Sequence, residues 1–315
     1  MIGLLSRRLA GLLLTLVGVS LLIFAVMDLL PGDPASIMLG TSASPETLAA
    51  LRHDLGLDQP LLLRYGQWLA GVFSGDLGQS YTYGVPVAGL IVERLAVTLP
   101  LALMAIVLSV AIAIPLGVLA ASRRNSIIDV VVSVFSQISI AVPAFWVALL
   151  LIILFSTTLG LMPAGGFPGW DAGIWAAVKA LLMPAVALAL PQAGVLTRVT
   201  RSAVLETMHE DFTRTALAKG LSSGKVLWRH SVPNALVPIF TILGLQFTFL
   251  VAGAVLVENV FNLPGLGRLA YQALSQRDII VMQDVVLFFA ALVIVMNFIV
   301  DLSYLVIDPR LREGV

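Results

Sequence analysis

Residues 95–121 read LAVTLPLALMAIVLSVAIAIPLGVLAA, a run without one Asp, Glu, Lys, Arg or His. A helix crosses about 30 Å of hydrocarbon in about 20 residues, so this run alone is long enough to span a bilayer. Five further apolar stretches are near or above that length: Leu9 to Met27, Val130 to Leu159, Ala180 to Leu196, Leu236 to Val257 and Val285 to Ile307. The expected fold class is all-α and integral to the membrane, with six transmembrane helices. Composition agrees. The chain is 59% hydrophobic and 11% charged, with a mean hydropathy of +1.01, whereas a soluble globule carries about 25% charged residues. A formal net charge of zero argues against a nucleic-acid partner, which needs a basic surface to displace counterions from phosphate. The absence of cysteine excludes disulfides, iron-sulfur clusters and thiolate zinc sites.

Arg7 and Arg8 precede the first apolar run as in a secretory signal, but that run exceeds the usual 7 to 15 residues or so and ends in Asp28-Leu-Leu-Pro-Gly without a small-x-small cleavage site. It reads as a retained anchor. Placing the N-terminus in the cytoplasm puts Arg7, Arg8, Arg123, Arg124, Arg198, Arg201, Arg214, Lys219, Lys225, Arg229, Arg310 and Arg312 on that side. This is 12 of the 18 Lys and Arg, against six outside: Arg52, Arg64, Arg94, Lys179, Arg268 and Arg277. The positive-inside rule then predicts that both termini are cytoplasmic.

On this topology residues 1–30 form an N-terminal transmembrane helix and 31–94 an extracytoplasmic segment. Residues 95–307 are the five-helix core, including a cytoplasmic loop over 197–234, and 308–315 a cytoplasmic tail. The outer segment carries turn signals at Pro31-Gly-Asp-Pro34 and Gly75-Asp-Leu-Gly78 and a helix-like stretch over Pro45 to Leu55. A second outer segment, Glu258 to Gln283, is apolar enough around Phe261 to Gly267 to dip into the interface. Pro100, Pro115, Pro143, Pro184, Pro191 and Pro238 fall in or at the start of the spans. Packing kinks and bends around a gated pathway both account for them.

The loop over 197–234 is the most informative connection. Asp211 is the expected N-cap of a short helix over 212–219, its carboxylate accepting a first-turn N–H at the positive end of the dipole. Gly220 is the expected left-handed stop, with Lys219 where a cation is favoured. Such a helix, about 12 Å long, displays Phe212 as an anchor, Ala216 and Ala218 as small residues and Arg214 and Lys219 as orienting charges. An ornament of the loop and a plug for a partner's groove both fit that description.

The run from Arg201 to Gly220 resembles the EAA loop of ABC importer permeases. The E-A-A-x3-G-x9-I-x-L-P pattern falls on Arg214-Thr215-Ala216, Gly220, His230, Val232 and Pro233, with the Glu, first Ala and Ile replaced. The form is more similar to the B-type permease subunits of dipeptide, oligopeptide and nickel importers, including Asn234-Ala-Leu-Val-Pro238. Further matches are Pro31 to Pro34, Leu55-Gly-Leu-Asp-Gln-Pro60, Gly75 to Gly78, Glu258, Pro264-Gly-Leu-Gly267, Arg277-Asp278, Gln283 and Asp308-Pro-Arg310. Asn262-Leu263 stands where Trp-Pro is usual, and Ile280 where proline is usual.

The resemblance implies a type I importer fold in the cytoplasmic (inner) membrane of a bacterium or archaeon. It implies four partners: a similar second permease subunit, two ATPase subunits and an extracytoplasmic solute-binding protein that delivers substrate. The short helix would be the coupling helix, with the ATPase contact on Glu210, Asp211, Phe212, Arg214, Thr215, Ala216, Lys219 and Gly220. Asp211 and Gly220 would shape the helix, Phe212 and Ala216 fill the cleft, and the two cations fix its register. ATP and magnesium would be held by the partners, and alternating access would carry substrate through.

The residues themselves give no sign of an enzyme. Gly220-Leu-Ser-Ser-Gly224-Lys225-Val226 has three residues between its glycines instead of four, and Val where a nucleotide-binding loop needs Ser or Thr. His53, His209 and His230 lack the spacing of a zinc site, so no cofactor or metal is expected in this chain. No spanning stretch supplies the His or Lys base that a membrane serine protease needs. Among acidic residues, Asp28, Asp129 and Asp284 lie at span ends where water is expected to reach them, and Asp301 lies further inside. Gln137, Ser139, Gln246 and Asn297 are candidates for the substrate path, alongside Ser133 and Ser136, although helix-to-helix hydrogen bonding suits each equally. A peptide importer is the favoured function, with a nickel or metal-chelate importer and an ATP-independent channel or carrier as alternatives. The spans contain no histidine for nickel, which leans towards peptides, but a chelated metal needs no ligand from the pore.

Overall fold

Proline decides where an apolar run becomes one helix and where it becomes two. A computed structural model describes residues 2–29, 34–39 and 44–307, and their regular structure is helical apart from one isolated bridge between Gln79 and Pro86. The helices are α1 (Ile2–Leu29), α2 (Pro34–Leu39), α3 (Pro45–Asp54), α4 (Leu61–Ser74), α5 (Val87–Ser122), α6 (Ile127–Ala141) and α7 (Ala144–Leu151). After a π-helical stretch, Ile152–Thr158, come α8 (Ile174–His209), α9 (Asp211–Ala218) and α10 (Ser223–Val226). A second π-helical stretch, Leu227–Ser231, leads into α11 (Val232–Val260), followed by α12 (Leu266–Gln276) and α13 (Ile279–Ile307). Asp308-Pro-Arg310, Arg312 and the rest of the tail, part of Pro31-Gly-Asp-Pro34 and the side chain of Asp301 lie outside the described residues.

Among the described residues five helices are long and apolar enough to cross a bilayer, and a sixth crossing requires the bent pair α6–α7. The run over 130–159, read from sequence as one span, turns by 100°. Its cause is Pro143: the ring excludes the preceding residue from the helical region, and Val142 is extended at φ −92°, ψ 122°. Pro100 and Pro115 in α5, and Pro184 and Pro191 in α8, interrupt nothing, as neighbouring groups in a bundle can satisfy the freed carbonyls. α5 and α8 each run 36 residues, about 54 Å at 1.5 Å per residue. Consequently the stretch over 197–234 is mostly helix, with α8 continuing to His209 and helix resuming at Ser223. Beyond the apolar run, Ala203, Leu205, Glu206 and Met208 are good helix formers and carry α8 onward.

The chain divides into two compact units. The first comprises the described residues up to Thr98 together with Pro264–Val295. Val87, Ile91, Leu266, Leu269, Ala273, Val281 and Val285 form its buried core. Thr98 Oγ1 accepts the free N–H of Leu266 at 2.8 Å, serving the start of α12. Asp278 closes the loop before α5 by accepting from Ser80 Oγ (2.5 Å) and the Thr82 N–H (3.0 Å). α4 lies along α1: Arg64 donates to Asp28 at 2.7 Å, Tyr65 OH and Ser20 Oγ are 2.9 Å apart, and the Phe24 ring meets Tyr65 and Trp68. Trp68 Nε1 donates to Asp284 Oδ1 at 2.8 Å. Asp284 is therefore buried, not water-exposed as its position near a span end suggests.

In the second unit, Leu99–Leu263 with the described residues from Met296 onward, α8 packs on α6, α7 and α11. Two glycines permit the close approach of helices. A Cβ on Gly117 would stand 2.5 Å from Thr200 Cβ, and one on Gly194 would stand 2.8 Å from both the Ser136 carbonyl oxygen and Ser139 Cβ.

Candidate docking site on the short helix α9

α8 stops at His209 because Glu210 turns extended, at φ −68° and ψ 152°. Glu210 thereby occupies the N-cap of α9, and its carbonyl receives the N–H groups of Thr213 and Arg214. Asp211, expected as the cap, is the first helical residue, and no side chain caps the helix. Its acidic group still sits at the positive end of the dipole. Lys219 ends the helix and Gly220 follows at φ +84°, the left-handed conformation that costs a side-chain-bearing residue most.

The inner face of α9 is Thr213 and Ala216, both buried. Thr213 Oγ1 donates to the Thr207 carbonyl at 2.8 Å, and Thr207 Oγ1 lies 3.2 Å from the Ser231 carbonyl oxygen. Thr207 Oγ1 also lies 2.9 Å from the Val204 carbonyl oxygen within α8, so α9 is hydrogen-bonded to the end of α8, and α8 lies against the π-helical stretch leading into α11. Nearby segments are cemented by Val118, Ala121, Ala203, Val204, Leu227, Val232 and Ala235. Asn234 Nδ2 donates to the His230 carbonyl at 2.6 Å, tying the start of α11 to the preceding turn. A two-pronged ion pair braces the same region: Arg201 Nε and Nη2 bind Asp129 Oδ1 and Oδ2 at 2.6 and 2.8 Å. Asp129 also accepts the Asn125 N–H at 3.0 Å. It is buried and paired, where a hydrated interfacial carboxylate was expected.

Glu210, Asp211, Phe212, Arg214, Thr215, Lys219 and Gly220 are exposed. Ala216 is not, because the three-residue spacing from Thr213 puts it on the inner face; it cannot fill a partner's cleft. At about 100° per residue Phe212 (41% exposed) and Leu217 (44%) border the buried Thr213–Ala216 edge on its two sides, and Trp228 (59%) is exposed in the π-helical stretch that follows. Exposed aromatic and aliphatic anchors ringed by charge are the composition of a docking surface. Arg214 reaches Asp211 only at 3.8 Å, with both side chains largely in solvent, and is available to a partner. Leu217, Trp228 and the Asp129–Arg201 clamp escaped sequence reasoning. The three-residue spacing of Thr213 and Ala216 was the signal for which face turns outward.

The four candidate path residues divide. Gln246 is buried and its Nε2 donates to the Gln192 carbonyl at 2.8 Å, while Ser139 is buried where α6 meets Gly194. Both lie at contacts between helices of the second unit. Gln137 and Asn297 are on exposed faces, Gln137 in a recess with Asp129, Val130, Ser133 and Val134. Among the described residues no three His, Asp or Glu gather as metal ligands.

Residues 113–313 match the family model described as binding-protein-dependent transport system inner membrane component, and residues 1–102 match the corresponding N-terminal model. A chain from Brucella abortus (strain 2308), provisionally named a peptide transport system permease protein, is 44% identical over 99% of both chains. The dipeptide transport system permease protein DppB of Escherichia coli (strain K12) is 39% identical, again over 99% of each. Among solved structures, inward facing conformations of the MetNI methionine ABC transporter share the fold with a TM-score of 0.56. The identity there is 20%, and 69% of this chain and 96% of that one are covered.

Proposed function

We propose that this chain, which belongs to the family of binding-protein-dependent transport system inner membrane components, is the permease subunit of an ATP-driven importer of peptides. It is a multi-pass protein of the cytoplasmic membrane and the non-catalytic part of its transporter, with ATP hydrolysis in separate subunits. The peptide reading is supported by relatives named peptide and dipeptide transport permeases at 44% and 39% identity over nearly whole chains. The working assembly would be this chain, a similar second permease, two ATPases holding ATP and magnesium, and a solute-binding protein outside. Both termini and α9 would lie in the cytoplasm, in keeping with the Lys and Arg asymmetry.

One observation carries the coupling role: α9 buries Thr213 and Ala216 against its own fold and leaves Phe212 and Leu217 exposed along the two borders of that edge, with Trp228 exposed in the segment that follows. An ATPase cleft closing on α9 would push a helix hydrogen-bonded to the end of α8, which in turn packs on the π-helical stretch leading into α11. The Arg201–Asp129 pair would carry the displacement into α6. Force applied at one short helix thus reaches three elements of the second unit, and alternating access follows from their joint movement.

The test is reconstitution of the assembly in proteoliposomes with its binding protein, measuring ATP-dependent uptake of labelled dipeptides, longer peptides and nickel. Peptide accumulation that stops without ATP is expected. Accumulation of nickel alone would overturn the peptide assignment, and solute movement by this chain without ATPase subunits would overturn the importer reading.

A further inference from the structure

The first unit contains a cavity of about 390 Å³ between α1, α4, α5 and α13, within the range of ligand pockets. Its walls include Ile91, Leu287 and Phe288. Polar side chains enter only as Ser20, already bonded to Tyr65, and Asp284. Val17, Phe73 and Val92 also line it and are 50%, 81% and 69% exposed. Val17 and Val92 belong to helices of membrane-spanning length, so the rim opens at bilayer depth, where acyl chains have access to it. A buried water needs two to four polar partners, which these walls do not offer. One polar atom is left over: Asp284 is 3% exposed, Oδ1 receives Trp68, and Oδ2 has no hydrogen-bond partner.

We propose that this cavity is a phospholipid site, taking an acyl chain from the bilayer, and that Asp284 selects a lipid whose headgroup donates hydrogen bonds. An ethanolamine headgroup brings a cation with three N–H donors to a carboxylate that lacks one. A choline headgroup brings the same charge and no donor, and a glycerol headgroup brings donors but no cation to pair with the carboxylate. The chain fills the apolar volume, and the headgroup completes the polar end begun by Trp68. The proposal does not depend on what the transporter carries.

The test uses the whole transporter, purified in mild detergent, equilibrated with equal amounts of phosphatidylethanolamine and phosphatidylcholine and weighed by native mass spectrometry. Wild type is expected to hold one phospholipid on this chain, with ethanolamine exceeding choline. Ala291→Phe and Ala88→Phe, which put a ring into the cavity from two helices, should each lose it. Asp284→Asn should keep the lipid and lose the preference. Should either filling variant fail to assemble, the other is read. Wild-type lipid retention in the filled variants, adducts of detergent only, or a wild-type chain without lipid because a second subunit covers the rim would overturn the site. Equal ethanolamine and choline binding by wild type would overturn the role of Asp284.

Discussion

Asp129 and Arg201 are 72 positions apart and meet through two hydrogen bonds of 2.6 and 2.8 Å. Asp129 is buried but the Arg201 side chain is 28% exposed, so stranding Arg201 costs less than the about 3–5 kcal/mol of a fully buried pair. Asp129→Ala is accordingly expected to lower the thermal unfolding midpoint of the detergent-solubilised protein measurably. Arg201→Lys should recover only part of the stability, because an ammonium cannot grip both carboxylate oxygens in a planar fork. An unchanged midpoint in Asp129→Ala would show that the pair is not formed. Sequence gave each residue a separate meaning, Asp129 as an interfacial carboxylate and Arg201 as a topology-setting cation. Their meeting is a product of α6 packing on α8, which no local spacing encodes. The same limit hid Asp284, since proximity to a span end says nothing about the Trp68 ring brought over it by α4.

Helix boundaries were legible where a residue's own covalent chemistry imposes them. Gly220 stops α9 because the backbone there is left-handed, at φ +84°, and with nothing within 4 Å of an added Cβ the cost of substitution is conformational alone. Gly220→Val is expected to strain the turn by about 1–2 kcal/mol. It should leave ATP hydrolysis in the assembled transporter while sharply reducing uptake, measured as transported solute per ATP; a wild-type ratio would remove α9 from the coupling path. The cap of α9 was misread by one residue because Glu210 and Asp211 both suit a helix start, and only φ and ψ separate them. Pro143 was noted without its consequence. Whether a proline kinks or breaks a helix depends on the neighbours that take up the freed groups, so Pro100 and Pro115 leave α5 continuous while Pro143 divides α6 from α7. α4 escaped because its Leu-rich start and single charge mix a helical pattern with turn residues, and its contacts with α1 come from outside the segment.

For the molecule as a whole, composition and six apolar runs were enough to indicate the membrane fold, because 11% charged residues cannot clothe a soluble globule of this size. The path for substrate was not legible: hydroxyl and amide groups in spans serve helix contacts as readily as a pathway, and Ser139 and Gln246 do so here. The central claim is that the outward face of α9 seats in an ATPase subunit, and photo-cross-linking in the native membrane tests it most directly. A photoreactive side chain is placed in turn at Phe212, Leu217 and Trp228, with exposed Leu62 of α4, in the segment expected on the outer side of the membrane, as control, and the captured protein is identified after irradiation. The account predicts that the first three positions capture a nucleotide-binding ATPase, with yields that change when ATP is bound, and that Leu62 captures none. Capture of no ATPase from any of the three, or equal capture from Leu62, would contradict it.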